Sequence, residues 1–300
     1  MVDFIHNNKD RYGVEAICRI LPIAASTYYR ALDLVDNPEH RAKRALHDLH
    51  HAEQIKRIWK ESLGRYGVRK VWQQLKREGY VIARCTVARL MQKLGIQGVW
   101  RGKNKQTTRS RDDQKRASDL VKRNFSADRP DQLWVSDFTY IQTNSGWVYT
   151  AFIIDVFSRA IVGWKVSTRM NTDMVLDALE QALHDRGMPK NVIHHSDRGV
   201  QYLSIRYTNR LEAANLRASV GTTGDSYDNA LAETVNGLYK TEVIEYLKAD
   251  WQGLADVQLA TLNWVDWFNK KRVHSALGYV SPFEFEAMYY DKINPLGQVA

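Results

Sequence analysis

Residues 131–141 read DQLWVSDFTYI, an apolar and aromatic run with a single carboxylate, Asp137, inside it. The run has the length and composition of a buried β-strand. An ionised Asp inside such a strand costs several kcal/mol unless a partner or a metal ion compensates its charge. Asp137 therefore predicts a compensating group that another part of the chain supplies.

Two later segments carry candidate partners. Residues 191–197, NVIHHSD, predict a short strand that ends on Asp197. Residues 225–240, DSYDNALAETVNGLYK, predict a helix with Glu233, and residues 198 to 232 give a spacing of 35 between the two acids. Carboxylates brought together repel one another unless a cation lies among them, and all-oxygen ligands suit Mg²⁺ or Mn²⁺. The spacing therefore predicts a divalent-metal site.

The segments around these three acids resemble the DDE polynucleotidyl transferases, which include retroviral-type integrases, and more closely the OrfB-type transposases of the insertion-sequence 3 family. The resemblance rests on short motifs: Trp134 and Asp137, His195 to Tyr202 (HSDRGVQY), Asp228-Asn229-Ala230 before Glu233, and Lys240 after it. It continues in a C-terminal segment that resembles the end of the integrase core: residues 263–269 (NWVDWFN), Arg272, His274, Leu277-Gly278 and Ser281-Pro282.

This resemblance implies a DNA transposase that nicks element ends with water and joins the 3′-hydroxyl to target DNA. Asp137, Asp197 and Glu233 are then the catalytic residues, and they bind two Mg²⁺ or Mn²⁺ ions. The candidate DNA contacts in the core are Lys240, Arg198, Asn229 and Arg272, and for Arg272 packing against the core is the favoured alternative. The resemblance also implies a homo-multimer that holds two DNA ends, and a frameshift fusion with an upstream helix-turn-helix protein expected to lie outside this sequence.

Two alternatives remain open at this point. One is a ribonuclease-H-like nuclease that only hydrolyses, and the other is a DNA-binding regulator without catalysis.

The predicted helix around Glu233 has two different sides. An apolar stripe, expected to pack on the sheet, comprises Leu231, Val235 and Leu238. The opposite polar side comprises Asn229, Glu233, Asn236, Gly237 and Lys240. Glu233 can thus face a metal ion while Lys240, two turns further on, meets a DNA phosphate. Asp225 is a candidate N-cap, and a loop at 221–224 precedes it.

Composition favours a polyanionic partner. The chain has 300 residues, which suits about two domains. Its 43 Lys and Arg exceed its 34 Asp and Glu, which gives a net charge of +9. The most apolar run, residues 148–157, is too short to span a membrane and contains Asp155. Cys18 and Cys85 are far apart, which fits a reducing compartment. We therefore expect a cytoplasmic, nucleoid-associated protein with no membrane partner.

Pattern and charge divide the chain into five parts. They are an N-terminal helical segment and linker (1–45), a helix-turn-helix-like DNA-binding domain (46–100), a basic linker (101–124), an integrase catalytic core with a C-terminal helical extension (125–288) and a tail (289–300). Residues 1–35 predict two helices split by Pro22, the second capped by Ser26. They could form half of a helix-turn-helix or a pair that docks on a neighbour.

Three helical patterns, starting near His47, Val68 and Thr86, predict the DNA-binding domain. From Arg65 to Arg101 nine Lys and Arg stand against one acid, Glu78, which favours phosphate contact. The candidate base-reading residues are Arg84, Thr86 and Arg89, at the start of the last helix. The histidines near residue 50 are followed by no paired cysteines, so this domain differs from the zinc module of retroviral integrases.

The order of patterns after residue 125 predicts the core. Three antiparallel strands are followed by helix, strand, helix, strand and helix, the order of an α/β ribonuclease-H-like fold with a five-stranded mixed sheet and flanking helices. That fold places Asp137 and Asp197 on neighbouring strands. Asp155 is expected to brace a hairpin through Ser158 or Arg159. His194 is expected to be a strand residue, and His195 to pack or to support a metal ligand, rather than to bind metal.

Overall fold

The computed structural model describes residues 1–100, 125–197, 199–220, 230–247 and 250–294. The basic linker expected at 101–124 lies outside these residues, as do Arg198, Asn229, Asp225 and the loop expected at 221–224. Within the described ranges, no helix is both long and apolar enough to cross a membrane.

The N-terminal segment contains three helices rather than the two that the sequence predicted. They are α1 (Val2–Tyr12), α2 (Val14–Ile20) and α3 (Ala25–Asp36). Each buries one residue in a small core of Ile5, Ile17 and Tyr28. The spacing of apolar residues did not indicate the first helix, because Ile5 is its only buried residue. The capping role expected for Ser26 was wrong, since α3 begins at Ala25 with Ala24 as its N-cap.

The predicted three-helix unit is present as α4 (Lys43–Glu61), α5 (Val68–Arg77) and α6 (Arg84–Lys93). Its helices share one core, to which they contribute Ile55, Ile58, Val71, Leu75, Val87 and Leu90. Helix α4 begins before His47, in the stretch expected to be linker. Its first turn is largely exposed, so apolar spacing does not reveal it.

The core contains a five-stranded mixed sheet in the order β3-β2-β1-β4-β5. Its strands are β1 (Leu133–Thr143), β2 (Gly146–Asp155), β3 (Ile161–Ser167), β4 (Ile193–Ser196) and β5 (Arg217–Val220). The first three are antiparallel, while β4 runs parallel to β1 and β5 parallel to β4. The ribonuclease-H-like order predicted from the sequence is confirmed.

Helices cover both faces of this sheet. Helices α7 (Thr172–Asp185) and α8 (Ile205–Ala213) pack on one face, around Trp134 and Ile153. Helices α9 (Ala230–Tyr239) and α10 (Leu254–Lys270) pack on the other, around Val135 and Phe152. Alternate strand residues point to opposite faces, so β1 feeds both cores.

Two local devices predicted from the sequence are confirmed. Asp155 Oδ1 accepts hydrogen bonds from Ser158 N at 2.8 Å and Ser158 Oγ at 3.0 Å, which braces the turn after β2. Helix α11 (Pro282–Ile293) starts with Ser281 as its N-cap, and Glu284 completes a capping box.

The three-helix unit docks on the core at a contact that the sequence did not reveal. Tyr66 Oη donates to Lys271 O (3.1 Å) and accepts from Val273 N (2.8 Å). Arg65 Nε donates to Glu242 O at 3.0 Å. Glu242 lies in a π-helical turn, Lys240–Glu245, that continues α9. We call this contact the docking seam, formed by Arg65, Tyr66, Lys70, Glu242, Trp264, Arg272 and His274.

Candidate active site

Asp137 and Asp197 lie side by side because of strand register. In the parallel pair of β1 and β4, Ser136 is aligned with Ser196. Asp137 and Asp197 each follow these residues by one position, at the point where β4 ends. The two carboxylates therefore leave neighbouring strands at the same level, as the sequence predicted.

Hydrogen bonds hold each of these carboxylates. Asp137 Oδ1 accepts from Phe138 N and its Oδ2 accepts from Asn236 Nδ2, both at 2.8 Å. Asp197 Oδ1 accepts from Gly199 N at 3.0 Å. The donors are amides, so they orient the carboxylates without neutralising their charge.

Glu233 lies in the first turn of α9, on the helix that supplies Asn236. Glu233 is exposed, whereas Asn236, one turn later, is buried and contacts Asp137. On the polar side predicted for this helix, Asn236 is the residue that contacts Asp137. The sequence analysis assigned no function to Asn236. Its position three residues after Glu233 was the feature that could have indicated a contact with the acids.

The apolar side of α9 differs in part from the prediction. Val235 is buried in the sheet core together with Ala232 and Tyr239. Leu231 and Leu238 are only half-buried, and they line a cavity of about 520 Å³ beside the docking seam. The stripe faces the junction with the three-helix unit as well as the sheet, because that unit covers this side of the helix.

The three acids form one electrostatic cluster. Burial, together with the charges of Asp197 and Glu233, raises the pKa of Asp137 to about 7. Burial also raises the pKa of Asp197 and that of Glu233. The cluster therefore holds more negative charge than its surroundings compensate.

The three acids carry the oxygen donor atoms that a hard divalent cation binds. The described part of the chain contains no three His, Cys, Asp or Glu side chains grouped closely enough to hold a metal ion. The carboxylate oxygens of Asp137, Asp197 and Glu233 are nevertheless the kind of ligand that Mg²⁺ prefers, and the cluster has too little positive charge to balance them. Asn236 Oδ1 is also buried without a hydrogen-bond partner among the described residues. We conclude that the donor set fits such an ion.

The two histidines before Asp197 have structural contacts, as predicted. His195 Nδ1 lies 2.9 Å from Ser219 Oγ, and His194 Nε2 lies 3.1 Å from Tyr207 Oη. Both rings are buried in β4.

The candidate DNA contacts have different surroundings. Lys240 Nζ lies 4.6 Å from the centre of the Tyr140 ring, at the edge of the sheet. Arg272 is buried and ion-paired with Glu242 at 2.6 Å, which agrees with the packing role that the sequence favoured for it over a DNA contact. Arg198 and Asn229 are among the residues not described.

The base-reading candidates lie on the surface of the three-helix unit. Arg84 is exposed and Thr86 is half-buried. Arg89 is exposed too, but its guanidinium is paired with Asp48 at 2.7 Å. Arg89 must leave this pair before it can contact a base.

Comparisons with known proteins agree with this architecture. Family models match an integrase core domain at residues 127–226 and again at 214–282, and an HTH-like domain at 47–104. The HTLV-2 integrase catalytic core domain, solved in complex with magnesium, is 18% identical and covers 54% of this chain and 99% of its own, with a TM-score of 0.43.

Two curated relatives span nearly the whole chain. The transposase for insertion sequence element IS629 of Shigella sonnei is 52% identical over 293 residues, 98% of each chain. Transposase InsF for insertion sequence IS3A of Escherichia coli K12 is 31% identical over 285 residues, 94% of this chain and 97% of its own. The chain therefore belongs to the insertion-sequence transposases of the insertion-sequence 3 family, with an HTH-like domain ahead of an integrase core.

Proposed function

We propose that this transposase both cleaves the ends of its element with water and joins the freed 3′-hydroxyl to target DNA. Asp137, Asp197 and Glu233 would hold two Mg²⁺ or Mn²⁺ ions for both steps. The observation that carries this proposal is the alignment of Ser136 with Ser196, since it places two acids together beside the helix of the third. The uncompensated charge of the cluster supports the same assignment.

Divalent ions bound there would activate the attacking oxygen and stabilise the departing one during in-line displacement at phosphorus. The chain's own residues position the ligands. Asn236 and the backbone N–H of Phe138 fix both oxygens of Asp137, and Gly199 N–H fixes Asp197. Such second contacts hold a ligand in one rotamer, which maintains the geometry that the reaction needs.

The three-helix unit would bind DNA ahead of the core. Its Lys and Arg surplus supports phosphate contact, and Arg84, Thr86 and Arg89 remain the base-reading candidates. We further propose that Lys240 and Arg198 contact phosphates near the reacting strand. A homo-multimer would hold the two DNA ends at the nucleoid, and a frameshift fusion with an upstream helix-turn-helix protein would be an alternative product.

The test is incubation of the purified chain with labelled DNA that carries its element ends, with Mg²⁺ or Mn²⁺. Glu233→Gln is the parallel variant, because it keeps the shape of the side chain and removes its charge. Joined strands from the wild type alone would support the proposal. Nicks without joining would indicate a nuclease. If neither product forms even when the upstream fused form is supplied, DNA binding without catalysis is the remaining function.

A further inference from the structure

Two exposed aromatic rings stand on the β1–β2 hairpin, further along β1 than Asp137. Tyr140 of β1 is 50% exposed and Trp147 of β2 is 49% exposed. Their ring centres lie 5.3 Å apart in an edge-to-face arrangement. Lys240 Nζ lies 4.6 Å from the Tyr140 ring centre. We call Tyr140, Trp147 and Lys240 the aromatic platform.

Two elements carry both platform residues and catalytic acids: strand β1 and the helical segment that begins with α9. Tyr140 follows Asp137 by three residues in β1, about 10 Å along the strand, and because strand side chains alternate it points to the opposite face of the sheet. Strand β4 pairs with β1 only as far as Ser136, so Lys240 reaches Tyr140 past the open side of β1. Lys240 follows Glu233 by seven residues, also about 10 Å along a helix. Because Asn236 contacts Asp137 and Lys240 contacts Tyr140, the helix and the strand run in the same direction here.

The tip of the β1–β2 hairpin is anchored, so the rings are held in place. Asn144 N donates to Trp251 O at 2.8 Å, and Ser145 N donates to Gln252 O at 3.1 Å. Ser145 Oγ adds a bond to Gln252 O at 2.6 Å. An anchored hairpin presents its aromatic rings without the loss of entropy that ordering a loose loop would require.

We propose that the aromatic platform binds one unpaired base of the DNA strand, a short distance from the scissile phosphate. This inference rests on the proposed function, which brings DNA to the neighbouring acids. Exposed aromatic rings stack on base faces of any sequence, and those faces are open only in unpaired nucleotides. Lys240 supplies the positive charge that the same nucleotide's phosphate needs, and no carboxylate in the described ranges is paired with it.

Fluorescence of 2-aminopurine tests the platform without any reaction. The probe is a DNA duplex with a short unpaired 3′ extension that carries 2-aminopurine, mixed with the full chain in the Glu233→Gln background and without divalent metal. We expect the chain to quench the probe by stacking and the double variant Tyr140→Ala with Trp147→Ala to restore its emission. Trp147→Phe, which keeps a ring, should retain most of the quenching.

Binding affinity supplies the second readout. The double variant should bind the extended duplex about tenfold more weakly than the parent, and a blunt duplex equally well. An abasic site in the extension should weaken the parent similarly and leave the double variant unaffected. The matched control is Tyr290→Ala, since Tyr290 is 48% exposed and pairs edge-to-face with Tyr289 at 5.4 Å. It should change nothing.

The outcomes separate this proposal from the proposed function. Absence of quenching by the parent, or equal quenching by the double variant, would overturn the platform even if joining occurs. Quenching that needs the two rings would support it even in a chain that fails to join DNA. If the double variant instead changes only the oligomeric state, the rings belong to an interface between copies, and base binding is excluded.

Discussion

Two carboxylates differ in how their charge is compensated: one lies in β1 and contacts α9, and the other lies in the π-helical turn that continues α9. Asp137, held by Asn236 of α9, accepts two amide hydrogen bonds, and its pKa is raised to about 7. Glu242, in the π-helical turn that follows α9, pairs with Arg272 at 2.6 Å and accepts a bond from Trp264 Nε1 at 3.1 Å. Arg272 and Lys70 lower its pKa despite burial.

The difference separates a site for chemistry from a site for structure. At the docking seam the chain itself supplies the positive charge, and the buried acid holds two domains together. At the candidate active site the chain orients the acids and leaves their charge for an external cation to neutralise. Removing a charge should therefore lower activity at the candidate active site and lower stability at the docking seam.

The largest expected effect is on strand joining by Asp137→Asn. Loss of one ion ligand should lower the joining rate by about four orders of magnitude, or about 5 kcal/mol. The free energy of unfolding, measured with urea in the absence of divalent metal, should stay level or rise, because a neutral amide is easier to bury than a carboxylate. The new Nδ2 also meets an acceptor, since the Asn236 amide can turn so that its unpartnered Oδ1 accepts from it. A variant that unfolds readily would contradict the contrast drawn above.

Asp155→Asn is the matched control, since Asp155 is another strand carboxylate that accepts hydrogen bonds from amide donors. It accepts bonds from Asp131 N, Ser158 N and Ser158 Oγ, so an amide nitrogen there meets donors. We expect a loss of about 1–3 kcal/mol in unfolding free energy. Joining per folded molecule should remain close to wild type.

The second prediction concerns the docking seam. Arg272→Met leaves Glu242 buried without its partner and should lower the unfolding free energy by about 3–5 kcal/mol. Adding Glu242→Leu should recover much of that loss, since two apolar side chains can replace a buried ion pair. Thermal or urea unfolding of both variants measures the effect.

Its control is Arg206→Met on the surface. Arg206 and Asp173 are paired at 2.7 Å with side chains 71% and 57% exposed. The change in unfolding free energy should stay within about 0.5 kcal/mol. An equal loss in both variants would mean that burial does not distinguish the two pairs.

The third prediction tests whether Asn236 positions Asp137 for an ion. Asn236→Ala removes the amide donor and should raise the Mg²⁺ concentration for half-maximal joining about 10- to 100-fold. The control, Asn269→Ala, removes another buried amide, which bonds Ile161 N at 2.9 Å and Ile161 O at 2.8 Å. That variant should lose stability and keep its metal dependence. Identical metal titrations for wild type and Asn236→Ala would exclude the positioning role.

Local patterns account for what the sequence predicted correctly. A strand with one carboxylate, a strand that ends in another and a helix with a third are each visible within about ten residues. The Ser281 cap and the brace from Asp155 to Ser158 likewise involve neighbours in sequence. Such features depend little on how the domains pack, so residue types and spacing suffice to predict them.

Contacts between distant segments could not be predicted in this way. Glu242 and Arg272 are 30 positions apart, and each alone resembles an ordinary surface charge. Their burial depends on the π-helical turn after α9 and on the docking of the three-helix unit. The same cause explains why Arg272 was also a candidate DNA contact and why Leu231 faces a cavity. The domain boundaries and the roles of the three acids stay predictions.

The smallest effect concerns Lys70, whose Nζ lies 5.1 Å from the Tyr66 ring centre in the docking seam. Burial, together with repulsion from Arg272, lowers its pKa from 10.5 to about 7, while Glu242 opposes the shift. Between these two values the unfolded chain holds a proton that the folded chain has released, so stability rises with pH. Below about pH 7 Lys70 is protonated in both the folded and the unfolded chain, and the full cost of burying its charge destabilises the fold.

Lys70→Met removes that titration. Relative to wild type, it should gain about 1 kcal/mol near pH 7, a modest value because Lys70 is partly exposed, and the gain should shrink as the pH approaches 10.5. Urea unfolding across this range measures the difference. Lys76→Met is the control in the same helix, since its exposed ammonium lies 5.0 Å from the Trp72 ring centre. If the change in unfolding free energy for Lys70→Met did not depend on pH and matched that for Lys76→Met, the docking seam would tolerate the lysine charge.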